Sequence, residues 1–147
     1  MVKIREVIIR TYVHESEDIS KVKEALNLLL PEEVKINEKV LSGFYKTKII
    51  ILECRINKKD KIKRFIEKFN EHMSEESKIL LEATLSDRID DKFSLYIRVD
   101  KQTLYQKKKI LITEEEDCIW IKISFDVTKK ERLIGNVLDK IKEVLMI

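Results

Sequence analysis

The residues best suited to chemistry in this 147-residue sequence are Tyr96, Arg98, Trp120 and Lys122. They fall on one parity of two alternating stretches. In 93–100 (FSLYIRVD), Phe93, Leu95, Ile97 and Val99 point one way, and Ser94, Tyr96, Arg98 and Asp100 the other. In the last alternating stretch, Ile119, Ile121, Ile123, Phe125 and Val127 oppose Trp120, Lys122, Ser124 and Asp126. Alternation of period two marks a strand with one apolar side. The two aromatics and two cations therefore project together from the polar side. Arg10 and Tyr12 from a first strand, and Arg55 from a third, can join them. Rings beside cations are what unpaired bases and phosphates require, since every base has a π-face and every phosphate a charge. The same pattern fits a solvated sheet face with ordinary cross-strand pairs. It also fits a face buried against protein, with Trp120 and Tyr96 as anchors. The glycine- and aromatic-rich signature of the RNA-recognition motif is absent.

Catalytic groupings are missing at the level of motif. Gly43 and Gly135 are the only glycines, so there is no glycine-rich phosphate loop. No Ser, His and Asp or Cys and His set has motif context. His14 stands among Glu15, Ser16, Glu17 and Asp18, where it could act as a base, ligate a metal or orient a turn. A pocket gathering His14, Glu17 and Asp100 would favour an enzyme. His72 suits a helix end. Cys54 and Cys118 sit in apolar strand patterns as buried thiols, or as a bridge of the kind that heat-adapted cytosol permits. Glu114, Glu115, Glu116 and Asp117 could draw a cation, though an acidic hairpin turn is commoner. The expectation is no catalytic residue, no metal and no cofactor.

Basic residues form three runs: Lys58 to Lys68, Lys107 to Lys109, and Lys129 to Arg132. Each alone reads as a solvated helix face. Their convergence on one rim would mean more.

These side chains need a scaffold, and the periodicities supply one. Residues 2–13 are a long strand. Ser16 with Glu17 and Asp18 opens a helix carrying Ile19, Val22, Leu26, Leu29 and Leu30, which Pro31 ends. Residues 34–41 (Val34, Ile36 and Val40 on one parity) and 48–56 make a hairpin around Gly43. Asn57 caps a helix with Ile62, Phe65, Ile66, Phe69 and Met73 on one stripe, and Ser74 caps another with Ile79, Leu80, Ala83 and Leu85. After the strand at 93–100 come a short polar link at 101–103, a strand near 109–113 and the final alternating strand. Thr128 and Glu131 form a capping box before a helix burying Leu133, Ile134, Val137, Leu138, Ile141 and Leu145. The order is β-α-β-β-α-α-β-β-β-α. The predicted class is α+β, a single two-layer domain over 1–147 with a mixed or antiparallel curved sheet and helices on one face.

Composition agrees. The sequence is 44% hydrophobic, which excludes disorder, and 39% charged, against an ordinary share of about 25%. Lys and Glu dominate, Gly and Pro are scarce, and the net charge is only +3. That balance predicts a thermophilic, archaeal source. No apolar run approaches the roughly 20 residues of a membrane span, and the start does not look like a signal peptide, so a cytoplasmic location is expected and no membrane partner.

Three segments together resemble a known family. They are Thr11-Tyr12-Val13-His14-Glu15-Ser16-Glu17-Asp18, then Gly43-Phe44-Tyr45 ahead of an Ile-rich strand, then Tyr96-Ile97-Arg98-Val99-Asp100-Lys101-Gln102. The chain is similar, from about residue 5 onward, to archaeal small predicted RNA-binding or predicted exosome-subunit proteins. The resemblance implies a fold like that of the ribosomal protein that holds 5S RNA. It implies a non-catalytic, RNA-associated role in RNA processing or degradation, with RNA and a processing complex as partners. By motif, His14, Glu17, Asp18, Gly43, Tyr45, Asp100, Arg98, Lys101 and Gln102 are the positions carried over. One departure is Lys46-Thr47-Lys48, where the family pattern has a glycine-containing turn. The expected RNA surface is Tyr96, Arg98, Lys101, Gln102, Trp120 and Lys122, with Arg10 and Arg55. The alternative is a protein-interaction module or homodimer that uses the same face without touching RNA.

Overall fold

The computed structural model describes residues 2–42, 47–134 and 136–147, apart from the side chains of Leu133 and Ile134. Its elements in chain order are β1 (Lys3–His14), α1 (Ile19–Asn27), β2 (Asn37–Ser42), β3 (Lys48–Ile56), α2 (Lys59–His72) and α3 (Glu75–Thr84). A 3-10 turn (Leu85–Arg88) follows, then β4 (Ser94–Val99), α4 (Lys101–Lys107), β5 (Ile119–Asp126), α5 (Lys129–Ile134) and α6 (Val137–Leu145). The strands form one sheet in the order β2-β3-β1-β5-β4, and every neighbouring pair is antiparallel. The longest strand is thus the centre, and β4 and β5 lie beside it as a hairpin-like pair despite the helix between them. A bulge between Ile4 and Glu6 lets β1 keep Ile4 and Val7 on the same side.

The apolar parity of β1, β3, β4 and β5 faces the helices. Val7, Ile9, Leu52, Ile56, Ile97 and Ile121 are buried in one cluster with Leu26, Phe65, Phe69, Leu81, Leu104 and Ile141. Phe65 and Phe69 touch with ring centroids 5.9 Å apart. Helices cover one face only, as the alternation in β4 and β5 demands. The α+β class read from the sequence holds, and so does the element order through β4.

Local differences have physical causes. The 101–103 link is the first turn of α4, capped by Asp100, whose carboxylate accepts from the Thr103 N–H at 2.9 Å and from its hydroxyl at 2.6 Å. The segment expected as a strand at 109–113 makes only isolated bridges, Ile110 to Met73 and Ile112 to Val99. Its backbone is shared out instead: the Ile112 N–H donates to Ser77 Oγ at 2.9 Å. That bond turns α3. Ser77 and Leu81 face the core with Leu85, as expected for Leu85, while Ile79, Leu80 and Ala83 of the expected stripe are exposed. Apolar periodicity cannot register a buried serine that a backbone donor satisfies.

Val34 and Ile36 pack on the core before β2 begins, whereas Val40 is exposed on that edge strand. Leu138 is exposed, and Val137, Ile141 and Leu145 carry the packing of α6. Lys58 rather than Asn57 occupies the cap position of α2. Ser74 and the Thr128–Glu131 box cap as expected. Cys54 and Cys118 are buried free thiols, and burial pushes Cys54 up to about 12, which leaves it inert at neutral pH.

Candidate nucleic-acid interface

Strand register assembles the polar face row by row. Arg10 stands opposite Glu53 on one side and Trp120 on the other, and Trp120 stands opposite Arg98. The next row runs Arg55, Ile8, Lys122, Tyr96. Tyr12 follows two residues from Arg10 and is 42% exposed. No helix lies over these side chains, because the helices occupy the opposite face.

The rings and cations are in contact. Tyr96 and Trp120 have centroids 5.9 Å apart at 42°. The Arg10 guanidinium lies 5.1 Å from the Trp120 ring, and the Lys122 ammonium 5.8 Å from the Tyr96 ring. Arrangements of this kind add about 0.5–1 kcal/mol each at exposed sites and hold the rings upright. Tyr96 Oη donates to Asp90 at 2.9 Å, and this bond raises the Tyr96 phenol above its ordinary range. Asp90 lies below the usual carboxylate range, chiefly through the Ser94 backbone N–H.

Four cations stand on the face, but they are not equally available. Arg10 Nε bonds Glu53 at 2.7 Å, and that bond holds the Glu53 carboxyl below its usual range. Arg55 lies 3.5 Å from both Glu6 and Glu53. Arg98 donates to the Glu114 carbonyl at 3.0 Å and, with Lys122, has no carboxylate ion pair among the described residues. These two cations stand beside Trp120 and Tyr96, with the Asp90 carboxylate acting on Lys122 and Glu116 near Arg98. Periodicity does not point to Glu53, whose partner Arg10 is brought to it by strand register across 43 residues, nor to Asp90, whose partners Ser94 and Tyr96 are reached through a turn.

Lys101 and Gln102 do not belong to this face, which corrects their assignment to the RNA surface. Both sit on α4 in the helical layer. Lys101 is buried, and its ammonium donates to the Tyr12 carbonyl at 2.7 Å, to Glu17 at 3.1 Å and to Asp117 at 2.6 Å. The chain turns into α4 after Asp100, so the strand parity that carries Arg98 outward stops there. Gln102 is exposed beside Lys21 and Tyr105, in a depression of about 320 Å³ between α1 and α4.

Of the remaining motif positions, His14 and Glu17 belong to this anchor. Glu17 holds Lys101 and accepts from the His14 N–H at 3.1 Å. Asp18 caps α1 through Ser20, whose hydroxyl lowers the Asp18 carboxyl. Gly43 and Tyr45 lie outside the described residues. His14, Glu17 and Asp117 place donor atoms within 4.8 Å of one another, a spacing that could hold a metal ion. Yet Lys101 bonds the very oxygens of Glu17 and Asp117 that face His14, so its ammonium already supplies the positive charge there. Asp100 is spent on its cap.

The basic runs do not converge on one rim. Lys61 and Lys68 cap the end of α1 by donating to the Glu32 and Leu30 carbonyls. The α2 start and the α5 start share one end of the sheet, as the Val7–Ile56 and Lys3–Asp126 pairs require. Lys107 to Lys109 follow α4, which leaves β4 at the other end, where Val99 pairs Ile119.

With this geometry, the comparison with known proteins is direct. The sequence pattern of a family described as RNA binding matches residues 6–125. The chain belongs to this RNA-binding family. A relative from Pyrococcus abyssi, named an RNA-binding protein, is 31% identical over 136 residues, with 88% of each chain covered. A crystal structure of a DUF54 protein from Archaeoglobus fulgidus is 32% identical, with a TM-score of 0.78, over 97% of this chain and 99% of that one. A DUF54 protein from Sulfolobus solfataricus is 28% identical, with a TM-score of 0.74, over 92% and 98%. The archaeal family resemblance carried by the three motif segments is therefore correct. Family membership and the open face now bear on the same question, namely what the Trp120 row meets.

Proposed function

We propose that this chain is a non-catalytic RNA-binding accessory protein of archaeal RNA processing or degradation. It takes single-stranded RNA on its open sheet face in the cytoplasm. The observation that carries this reading is the Arg10–Trp120–Arg98 row, with Tyr96 and Lys122 beside it. Trp120 and Tyr96 stack bases, and Arg98 and Lys122 take phosphate. Membership of an RNA-binding family supports the ligand class. An exosome-like setting is supported by the motif resemblance. The pairing of Lys101 with Glu17 and Asp117 supports binding over catalysis, because the acids and His14 are committed to one ion cluster.

Filter binding of a short single-stranded RNA across a salt series tests it. Two neutralised phosphates give a slope of about −1.4 in log–log form, or roughly sevenfold weaker binding between about 50 and 200 mM salt. No retention at low salt removes the proposal.

A second reading has its own observation. All six residues of the edge strand β2 are exposed, including Val40 and Leu41. An open edge offers unpaired backbone groups to another strand. In that case light scattering gives a mass that rises toward twice the monomer as concentration increases. A constant monomer mass removes the homodimer.

A further inference from the structure

Beside Trp120 the open face is hollowed into a depression of about 350 Å³, lined by Arg10, Tyr12, Arg98, Glu116, Cys118 and Trp120. We propose that this hollow is a base-specific pocket for guanine, an inference that rests on the RNA-binding reading above. The volume admits a single nucleobase with room to spare. Trp120 supplies the stacking surface, and the wall is unusual in holding both signs of charge. Glu116 is exposed and has no hydrogen-bond or ion-pair partner among the described residues. Arg10 uses Nε on Glu53, which leaves its two terminal amino groups. Arg98 uses Nη1 on the Glu114 carbonyl, which leaves Nη2.

The four bases answer this donor and acceptor set differently. Uracil offers one ring N–H between two carbonyls. Cytosine and adenine each offer one amino group beside a ring-nitrogen acceptor. Only guanine places two donors side by side, N1–H and the 2-amino group, for both oxygens of one carboxylate. Its far edge carries O6 and N7, the acceptor pair that an arginine fork reads. In unpaired RNA both edges are open to side chains. A carboxylate on a phosphate-binding face would otherwise only repel the backbone, so its position beside Trp120 is accounted for by a base donor. Arg10 is balanced by Glu53, so Arg98 is the cation that answers Glu116, and Lys122 one row away is left for the adjoining phosphate.

The test uses fluorescence anisotropy with nonameric oligouridine RNAs carrying one central guanosine, inosine, adenosine or uridine. Inosine keeps N1–H, O6 and N7 and lacks only the 2-amino group. The expected result is binding of the guanosine oligomer about tenfold tighter than the other three. Glu116→Gln erases the difference between guanosine and inosine. It sits on an exposed turn, and circular dichroism checks that the fold is retained. Equal affinity for all four oligomers, or a preference for guanosine over inosine that survives Glu116→Gln, overturns the guanine pocket while leaving the RNA-binding reading intact. Absence of binding by all four at low salt overturns both.

Discussion

Replacing Trp120 with alanine weakens single-stranded RNA binding about ten- to 100-fold. Stacking of one base on one ring is worth about 1–3 kcal/mol by alanine substitution, and this ring does more than stack. It stands between Arg10 and Arg98 in register and holds the Arg10 guanidinium 5.1 Å from its centre. Its loss frees that guanidinium to lie along Glu53, where it already donates. The fold should tolerate the change, since Trp120 is half-buried on the face away from the helices and outside the core cluster. Anisotropy titration of a labelled single-stranded oligomer measures the loss. Thermal unfolding followed by circular dichroism shows that the chain stays folded. Trp120→Phe keeps a π-face and should recover most of the affinity. An alanine variant that binds like the parent would place the RNA elsewhere.

Lys101→Met has the opposite signature: a large loss of stability and little change in RNA affinity. The ammonium is the shared donor for the Tyr12 carbonyl, Glu17 and Asp117, and it ties the end of β1 and the start of α1 to α4 and to the turn before β5. Removing one partner of a buried pair costs about 3–5 kcal/mol because the other charge is stranded. Here Asp117 is well exposed and Glu17 partly so, and water recovers part of the loss. The expected cost is about 2–3 kcal/mol. For a chain of this size that is a fall in Tm of roughly 5–10 °C. Adding Glu17→Gln and Asp117→Asn to the Lys101→Met chain removes the stranded carboxylates, and the triple variant should regain part of that Tm. A Tm within 2 °C of the parent for Lys101→Met alone would mean that the cluster is not an anchor. An RNA affinity that falls as far as with Trp120→Ala would return Lys101 to the binding surface.

The contrast between these two residues shows where the sequence was readable. Trp120 and Tyr96 sit in strands whose alternation is unbroken on both sides, and pleating then dictates their direction. Lys101 stands one residue past Asp100, and Asp100 is a helix cap. Lys101 is placed on the RNA surface by the motif resemblance and not by parity, for the odd positions of β4, Ile97 and Val99, already point into the helical layer. The α3 stripe failed for a different reason. A buried Ser77 bonded to the Ile112 N–H outranked the exposed Ile79 and Leu80, and hydrogen-bond demand does not appear in a hydrophobic pattern.

The amino-acid order alone determined the class of fold, the apolar faces of β1, β3, β4 and β5, and the shared open face of Tyr96, Arg98, Trp120 and Lys122. These follow from periods of 2 and 3.6 that act within a few residues along the chain. Tertiary structure decided which strands are neighbours, and so which charges meet. Arg10 meets Glu53 across 43 residues, Lys101 meets Glu17 across 84, and Glu116 comes to rest beside Trp120 and Arg98. Those encounters are set by register and by the closure of long loops. Their energies depend on distance in space, which no local pattern encodes.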